Sequence, residues 1–335
     1  DPLQLPRPTR VGRTKPLGLS VERVTVARLS ALASSSARGP TVPVHLRIGR
    51  EHGHKPDCPR CPKGDHDLRL VVRETAAVSQ AEERAERREF IQRAVSDLHQ
   101  RCASMTEGEP ADYIPQLATV DPDRFAVVAI TTDGASVSAG DVDHPFTIKS
   151  ISKLLTYGLA LETHGRDVVL ERVGVAPTGD SFNAIVLDDV DNRAPNPMVN
   201  AGAIAVTDLV AGDGVDQRVE TIRAMYERYL GRRPEIDEAV WRSERATGNR
   251  NRAIAYLMLS RGIVDDRVEE TLDLYFAQCS VLVTVVDLAM IGAIIANHGV
   301  HPLTGEQIVS REVTRDMLTV ALTCGMYDYA GEWAY

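Results

Sequence analysis

The stretch TIKSISKLL, residues 147–155, combines a serine, a lysine and the start of an apolar helical pattern. Ser150 precedes Lys153 by three residues. Apolar side chains follow at helical spacing as far as Gly165, a residue type that commonly ends a helix. The pattern therefore predicts that Ser150 lies at or near the N-terminus of a helix.

A serine and a lysine at this spacing can perform acyl transfer. Side chains three residues apart lie about one turn apart on the same face of a helix, so the Lys153 amine can reach the Ser150 hydroxyl. A desolvated, neutral lysine acts as a base toward an alcohol, and backbone N–H groups at a helix N-terminus favour a developing oxyanion. The alternative is a capping serine followed by a solvated lysine.

The residues that precede this stretch predict a helix and then a β-hairpin. Ser79 and Glu82 form a capping-box signature, and the apolar residues behind them predict a helix over about 80–101. FAVVAITTDGASVSAGD predicts two short strands joined around Asp133 and Gly134, a pair that accepts positive φ. Further along the chain, helical patterns alternate with loops. The clearest of these patterns span 219–230, 251–260 and 285–297.

Composition and charge exclude several classes of protein. The 335 residues are 43% hydrophobic and 25% charged, and no stretch approaches the roughly 20 apolar residues that span a bilayer. Residues 1–70 carry 13 Lys and Arg against 6 Asp and Glu, a charge of +7, which leaves −16 for the rest of a chain whose total is −9. An acidic body binds nucleic acid poorly. We therefore expect neither a membrane nor a nucleic acid as a partner.

The first part of the chain differs in composition from the rest. Residues 1–73 are rich in Pro, Arg, Ser and Gly, which predicts a poorly ordered basic leader before a main domain over residues 78–335. Four residues of the leader have spacings that could hold a structural zinc in a small knuckle, although reduced cysteines in a flexible segment are the alternative. These candidates are Cys58, Cys61, His54 and His66.

Cysteine usage indicates a compartment. The five cysteines are odd in number and scattered, which argues against a disulfide framework, and no secretion signal is recognisable near the start of the sequence. We therefore expect a cytoplasmic protein.

Seven motifs, in order along the chain, carry a family resemblance. They are DYIPQLA, FTIKSISKLL, ERVGVAPTGDSFN, NPMVNAGAI, SERATGNRNRAIAY, LDLYFAQCS and TCGMYDYAGEWAY. Together they closely resemble the serine-dependent glutaminases over about residues 94–335. The resemblance implies hydrolysis of L-glutamine to L-glutamate and ammonia without a cofactor. It also implies an α/β (α+β) fold of the β-lactamase and penicillin-binding-protein type, with an antiparallel sheet, flanking helices and a mostly helical lobe, and a homo-oligomer, dimer or tetramer.

The same resemblance assigns roles to individual residues. It implies that Ser150 is the nucleophile, Lys153 its base and Tyr327 a proton relay. A free amino acid carries an ammonium and a carboxylate. A carboxylate of the protein can bind the ammonium, and amides and hydroxyls of the protein can bind the carboxylate. The implied substrate contacts are Tyr113, Ser150, Asn200, Glu244, Asn251, Tyr275 and Tyr327. By themselves, Asn200 could bond its own backbone, the tyrosines could be packing residues, and Glu244 and Asn251 could lie in a solvated segment interrupted at Gly248.

Two departures from the family pattern leave alternatives open. Lys149 stands where family members commonly have Gln, and its ammonium could bind an anion or alter the pKa of Lys153. The chain ends at GEWAY, where the family continues with further strands, so we expect the C-terminal strands to be missing. A truncated, catalytically weak homologue that binds an amino acid or a partner is therefore one alternative. A β-lactamase-like hydrolase is another, although its SxN and KTG motifs have no convincing place here.

Overall fold

The computed structural model describes residues 67–105, 107–185, 187 and 192–335, with side chains described from residue 81 onward. The zinc candidates and most of the predicted leader lie outside the described residues. The helices are α1 (Asp67–Cys102), α2 (Pro115–Ala118), α3 (Ser152–Arg172), α4 (Asn200–Asp208), α5 (Gly214–Leu230), α6 (Glu238–Thr247), α7 (Asn249–Ser260), α8 (Val268–Cys279), α9 (Val285–Ala296), α10 (Arg311–Cys324) and α11 (Ala330–Ala334). The strands are β1 (Ala126–Ile130), β2 (Ser136–Gly140), β3 (Phe146–Thr147) and β4 (Leu282–Val283).

The strands form two small antiparallel sheets. β1 pairs with β2 in a register that runs from Ala126 opposite Gly140 to Ile130 opposite Ser136, and β3 pairs with β4. At the turn of the hairpin, Gly134 has φ 85°, a backbone conformation that glycine adopts at little cost. The predicted hairpin around residues 133 and 134 is therefore confirmed. Helix α1 packs on both strands of the hairpin and α9 packs on β1.

Helix α1 is longer than its sequence pattern predicted. It begins at Asp67, so Ser79 lies inside the helix, and the predicted capped start near residue 80 is wrong. The residues between Asp67 and Ser79 contain neither Pro nor Gly, so the local sequence offers nothing to stop the helix from extending. Glu–Arg pairs one turn apart, such as Glu83 with Arg87 at 3.2 Å, support its exposed surface.

Helix α3 follows Ser150 as predicted, with one interruption. Gly165 has φ 80° and ψ 165°, which stops the helical backbone, but the chain resumes a helix as far as Arg172. The other predicted helices are present as α5, α7 and α9, each within five residues of its predicted bounds. Among the described helices, none combines the length and the apolar character that crossing a membrane requires.

Helix α4 lies at the centre of the core, and all nine of its residues are buried. It packs against α3, α7 and α8. A methyl group on Gly202 would lie 1.9 Å from the carbonyl oxygen of Asn196, so glycine is what allows the helix to approach the preceding loop this closely. The C-terminal end of α4 is bound by the fully buried Arg218, which donates to the carbonyl oxygens of Thr207 and Asp208 at 2.7 and 3.2 Å. The helix, with Asn200 at its N-terminal end, is therefore fixed at both ends.

Candidate active site

Ser150 lies in a single 3₁₀ turn, Lys149–Ile151, between β3 and α3. This position confirms the prediction that it lies near a helix N-terminus. Lys149, directly before it, has φ 51°, and Tyr327 has φ 54°. Residues other than glycine seldom adopt this left-handed conformation, and it persists where the surrounding structure imposes it, most often at functional sites.

Lys149, Ser150 and Tyr327 line one cavity of about 430 Å³. All the residues predicted to contact a substrate lie in its wall. The lining consists of Tyr113, Lys149, Ser150, Phe182, Asn183, Asn200, Glu244, Thr247, Gly248, Arg250, Asn251, Tyr275, Cys279 and Tyr327. The structure thus brings together side chains from segments more than 200 residues apart in sequence.

Lys153 lies behind this wall and is only 1% exposed. Its ammonium donates to the carbonyl oxygen of Met198 at 2.9 Å and to Asn200 Oδ1 at 2.8 Å, and it lies 5.5 Å from the ring centre of Tyr327. Burial penalises the charged form of the amine and lowers the pKa of Lys153 to about 8. The direct contact between the lysine amine and the Ser150 hydroxyl that the spacing predicts stays a prediction, since both hydrogen bonds described for this ammonium end on other oxygens.

Asn200 connects the lysine to a group of polar side chains in the lining of the cavity. Its Oδ1 accepts from Lys153 and, at 3.3 Å, from the hydroxyl of Tyr275, while its Nδ2 donates to Asn251 Oδ1 at 2.9 Å. The Asn200 side chain therefore bonds to its neighbours in the site and not to its own backbone. We call Asn200, Asn251 and Tyr275 the amide cluster.

A second group contains the carboxylate of the cavity. Glu244 Oε1 accepts from Lys149 Nζ at 3.0 Å, and the two side chains are 12% and 19% exposed. The Tyr113 ring centre lies 5.8 Å from the same ammonium. Burial, followed by the charge of Glu244, raises the pKa of Tyr113. Of the described residues that line the cavity, only Glu244 carries a carboxylate.

The break between α6 and α7 brings Glu244 and Asn251 into the same wall. Gly248, with φ −70° and ψ 34°, ends the first helix and precedes the second, as its glycine predicted. A methyl group on Gly248 would lie 2.5 Å from the ring of Phe276, so the bend also depends on glycine's small size. Glu244 and Asn251 are half-buried and line the cavity, although most of the residues between them are exposed.

Tyr327 completes the wall beside Ser150. Burial raises its pKa, and a hydrogen bond with the Ser150 side chain acts in the opposite direction. Its ring lies 5.5 Å from that of Phe182, measured between centres. The hydroxyl is thus retained in its protonated form near neutral pH, next to the serine.

Several lining residues were not singled out from the sequence, although the quoted motifs contain them. Arg250 donates to the backbone oxygen of Asn183 at 2.7 Å. Cys279 is 7% exposed, and burial raises the pKa of its thiol to about 11, so it is present as the unreactive thiol. Membership of a shared motif was the signal that could have identified them.

The chain resembles known proteins over the region that forms this cavity. The glutaminase family model matches residues 108–335. The glutaminase of Nostoc sp. (strain PCC 7120 / SAG 25.82 / UTEX 2576) is 53% identical over 243 residues, which are 72% of this chain and 73% of that protein. Among solved structures, the probable glutaminase of Bacillus subtilis is 37% identical with a TM-score of 0.61, over 63% of this chain and 69% of that one. Mglu in its tris and glutamate form is 40% identical with a TM-score of 0.70, over 72% of this chain and 54% of that one.

The fold and the position of the serine define the structural class of the protein. Helices packed on small antiparallel sheets, with the serine of an SxxK motif just before a helix whose first half is buried, place the chain among the β-lactamase-like proteins. Within that class, the chain belongs to the glutaminase family. It spans about half the length of the Mglu chain that it matches.

Proposed function

We propose that this protein hydrolyses L-glutamine to L-glutamate and ammonia through an acyl-enzyme on Ser150. The observation that carries the proposal is the convergence of three features on one cavity: the serine, a buried lysine behind it, and a lining whose described residues include one carboxylate, that of Glu244, together with the amide cluster. A cavity of about 430 Å³ is of the size that holds small molecules.

The first half of the reaction forms an ester. Ser150 Oγ attacks the γ-carbonyl carbon of glutamine while its proton passes to the neutral amine of Lys153. Backbone N–H groups of the 3₁₀ turn that precedes α3, including that of Ser150, stabilise the negative oxygen of the tetrahedral intermediate. The carbon–nitrogen bond then breaks, and the leaving nitrogen takes up a proton, for which the hydroxyl of Tyr327 is the relay. The products of this half are ammonia and a glutamyl ester of Ser150.

The second half returns the enzyme to its starting form. A water molecule attacks the ester carbonyl and loses a proton to the Lys153 amine, and the bond to Ser150 Oγ breaks as the serine regains its proton. Glutamate is released. A pKa of about 8 suits a group that must accept and return a proton near neutral pH.

Recognition of the free amino acid uses two groups of side chains in the lining of the cavity. Glu244 binds the α-ammonium, because it carries the carboxylate among the described residues that line the cavity. The amide cluster and the tyrosine hydroxyls bind the α-carboxylate. This division favours glutamine over a peptide amide, which lacks one or both charges. A cytoplasmic location and a homo-oligomeric state complete the proposal and rest on composition and family resemblance.

The proposal is tested by the products and the substrate range of the purified protein. We expect equal amounts of glutamate and ammonia from L-glutamine, and much slower release from D-glutamine and L-asparagine, in which the α-groups or the amide are displaced. A penicillin serves as the comparison that tests a β-lactamase-like activity. No ammonia from L-glutamine, or faster acylation by the penicillin than by glutamine, would contradict the proposal.

A further inference from the structure

The ion pair between Lys149 and Glu244 lies in the lining of the cavity proposed to receive the substrate. The two residues are 95 positions apart in sequence, and their charged atoms lie 3.0 Å apart. Both side chains are mostly shielded from water, so solvent and salt screen this pair less than they screen an exposed one. The pair is therefore a feature of the site and not of the surface.

Lys149 also has a left-handed backbone conformation. A φ of 51° is unfavourable for a lysine and must be imposed by its neighbours. The ring of Tyr113 lies 5.8 Å from the lysine nitrogen, a distance at which an aromatic ring attracts a cation. Two side chains of the cavity lining, those of Glu244 and Tyr113, thus hold the ammonium in place.

The Lys149 ammonium binds the carboxylate that the substrate needs. Under the proposed function, on which this inference rests, the α-ammonium of glutamine binds Glu244. Among the lining residues that the structure describes, no second carboxylate is present to take either cation. The lysine and the substrate ammonium therefore require the same carboxylate, that of Glu244.

We propose that Lys149 is a specificity-determining residue whose ammonium competes with the α-ammonium of glutamine for Glu244. Glutamine must displace the lysine, so its apparent affinity is reduced by the fraction of molecules in which the ion pair is formed. An amide without an α-ammonium leaves the pair intact and bears no such cost. Lys149 thus lowers the preference of the site for glutamine over desamino amides such as 4-carbamoylbutanoate.

The test compares binding of these two ligands by isothermal titration calorimetry. Ser150→Ala serves as the background, so that turnover does not consume the ligand. In that background we expect Lys149→Gln to bind glutamine about fivefold more tightly and 4-carbamoylbutanoate no more tightly than before. Lys149→Arg, which keeps the positive charge, is the matched control and should leave the affinity for glutamine low. Lys149→Met repeats the neutral substitution should the Gln variant fold poorly.

A second set of variants tests whether Lys149 weakens glutamine binding by pairing with Glu244. In a Glu244→Gln background, Lys149→Gln should no longer tighten glutamine binding, because the competing ion pair has already been removed. Weaker binding after Lys149→Gln would mean that the lysine binds the substrate carboxylate, and it would overturn the proposal. Unchanged binding, including no detectable binding by any variant, would overturn it as well.

Failure of this inference is separable from failure of the proposed function. Ammonia release by the unmodified protein, with no tightening after Lys149→Gln, rejects the competition alone. Tighter binding by Lys149→Gln in a protein whose unmodified form releases no ammonia rejects the activity and retains the competition.

Discussion

The side-chain nitrogen of Lys153 lies 2.8 Å from the amide oxygen of Asn200, and this hydrogen bond joins the buried lysine to the wall of the cavity. The second hydrogen bond of the ammonium also goes to an uncharged oxygen, that of Met198. Uncharged partners offset less of the cost of burying a charge than a carboxylate would. Burial therefore dominates, and the pKa of the amine falls to about 8.

We expect kcat/KM for glutamine to depend on pH through this lysine. The neutral amine is the active form, so kcat/KM should rise about tenfold per pH unit below about pH 8 and level off above it. A pH profile at fixed ionic strength measures this directly. Lys153→Met should abolish turnover at every pH, and a profile that stays flat across pH 8 would show that another group is the base.

Local sequence patterns predicted the elements that depend on local chemistry. The hairpin was predictable because Asp133 and Gly134 supply the turn and the flanking residues alternate in character. The start of α1 was not predictable in this way, because the capping signature at Ser79 occurs inside a continuous helix. Helix α3 was predicted to its interruption at Gly165, beyond which nothing in the periodic pattern indicated that a helix resumes.

The site depended on information that no single stretch contains. The spacing of Ser150 and Lys153 suggested chemistry, but the pKa of Lys153 is set by burial beneath α4 and the preceding loop. Segments far apart in sequence supply Asn200 and Glu244, and only the set of ordered motifs indicated that they belong together. The pairing of Lys149 with Glu244 had no sequence signal, because it follows from tertiary contact alone.

Glu244→Gln tests the assignment of the substrate ammonium. The substitution keeps the shape of the side chain and removes its charge, so we expect KM for glutamine to rise about tenfold or more. KM for 4-carbamoylbutanoate, which has no α-ammonium, should change little. Steady-state kinetics with both substrates provide the comparison, and equal losses for the two would place Glu244 outside the recognition of the ammonium.

Gly202→Ala tests the packing that positions α4. The added methyl group would lie 1.9 Å from the carbonyl oxygen of Asn196, so the helix or the loop must move. We expect a loss of about 1–3 kcal/mol in the free energy of unfolding, together with lower activity because Asn200 moves with the helix.

Gly292→Ala is the matched control for this prediction. It lies inside α9, and its added methyl group would have no atom within 4 Å. We expect it to leave the free energy of unfolding unchanged or to raise it by up to about 1 kcal/mol. Urea denaturation followed by circular dichroism measures both variants. Equal stability of the two would show that the contact at Gly202 relaxes at no cost.

The identity of the nucleophile is tested by comparing alanine variants of two serines that lie two positions apart. Ser150 lines the cavity, whereas Ser152 is fully buried with its hydroxyl 3.8 Å from the sulfur of Cys279. The most direct measurement is the rate of ammonia release from glutamine by the unmodified protein, Ser150→Ala and Ser152→Ala at the same concentration. We predict a fall of at least about 1000-fold for Ser150→Ala and nearly full activity for Ser152→Ala. Ammonia release by a folded Ser150→Ala protein at close to the unmodified rate would contradict the acyl-enzyme on Ser150.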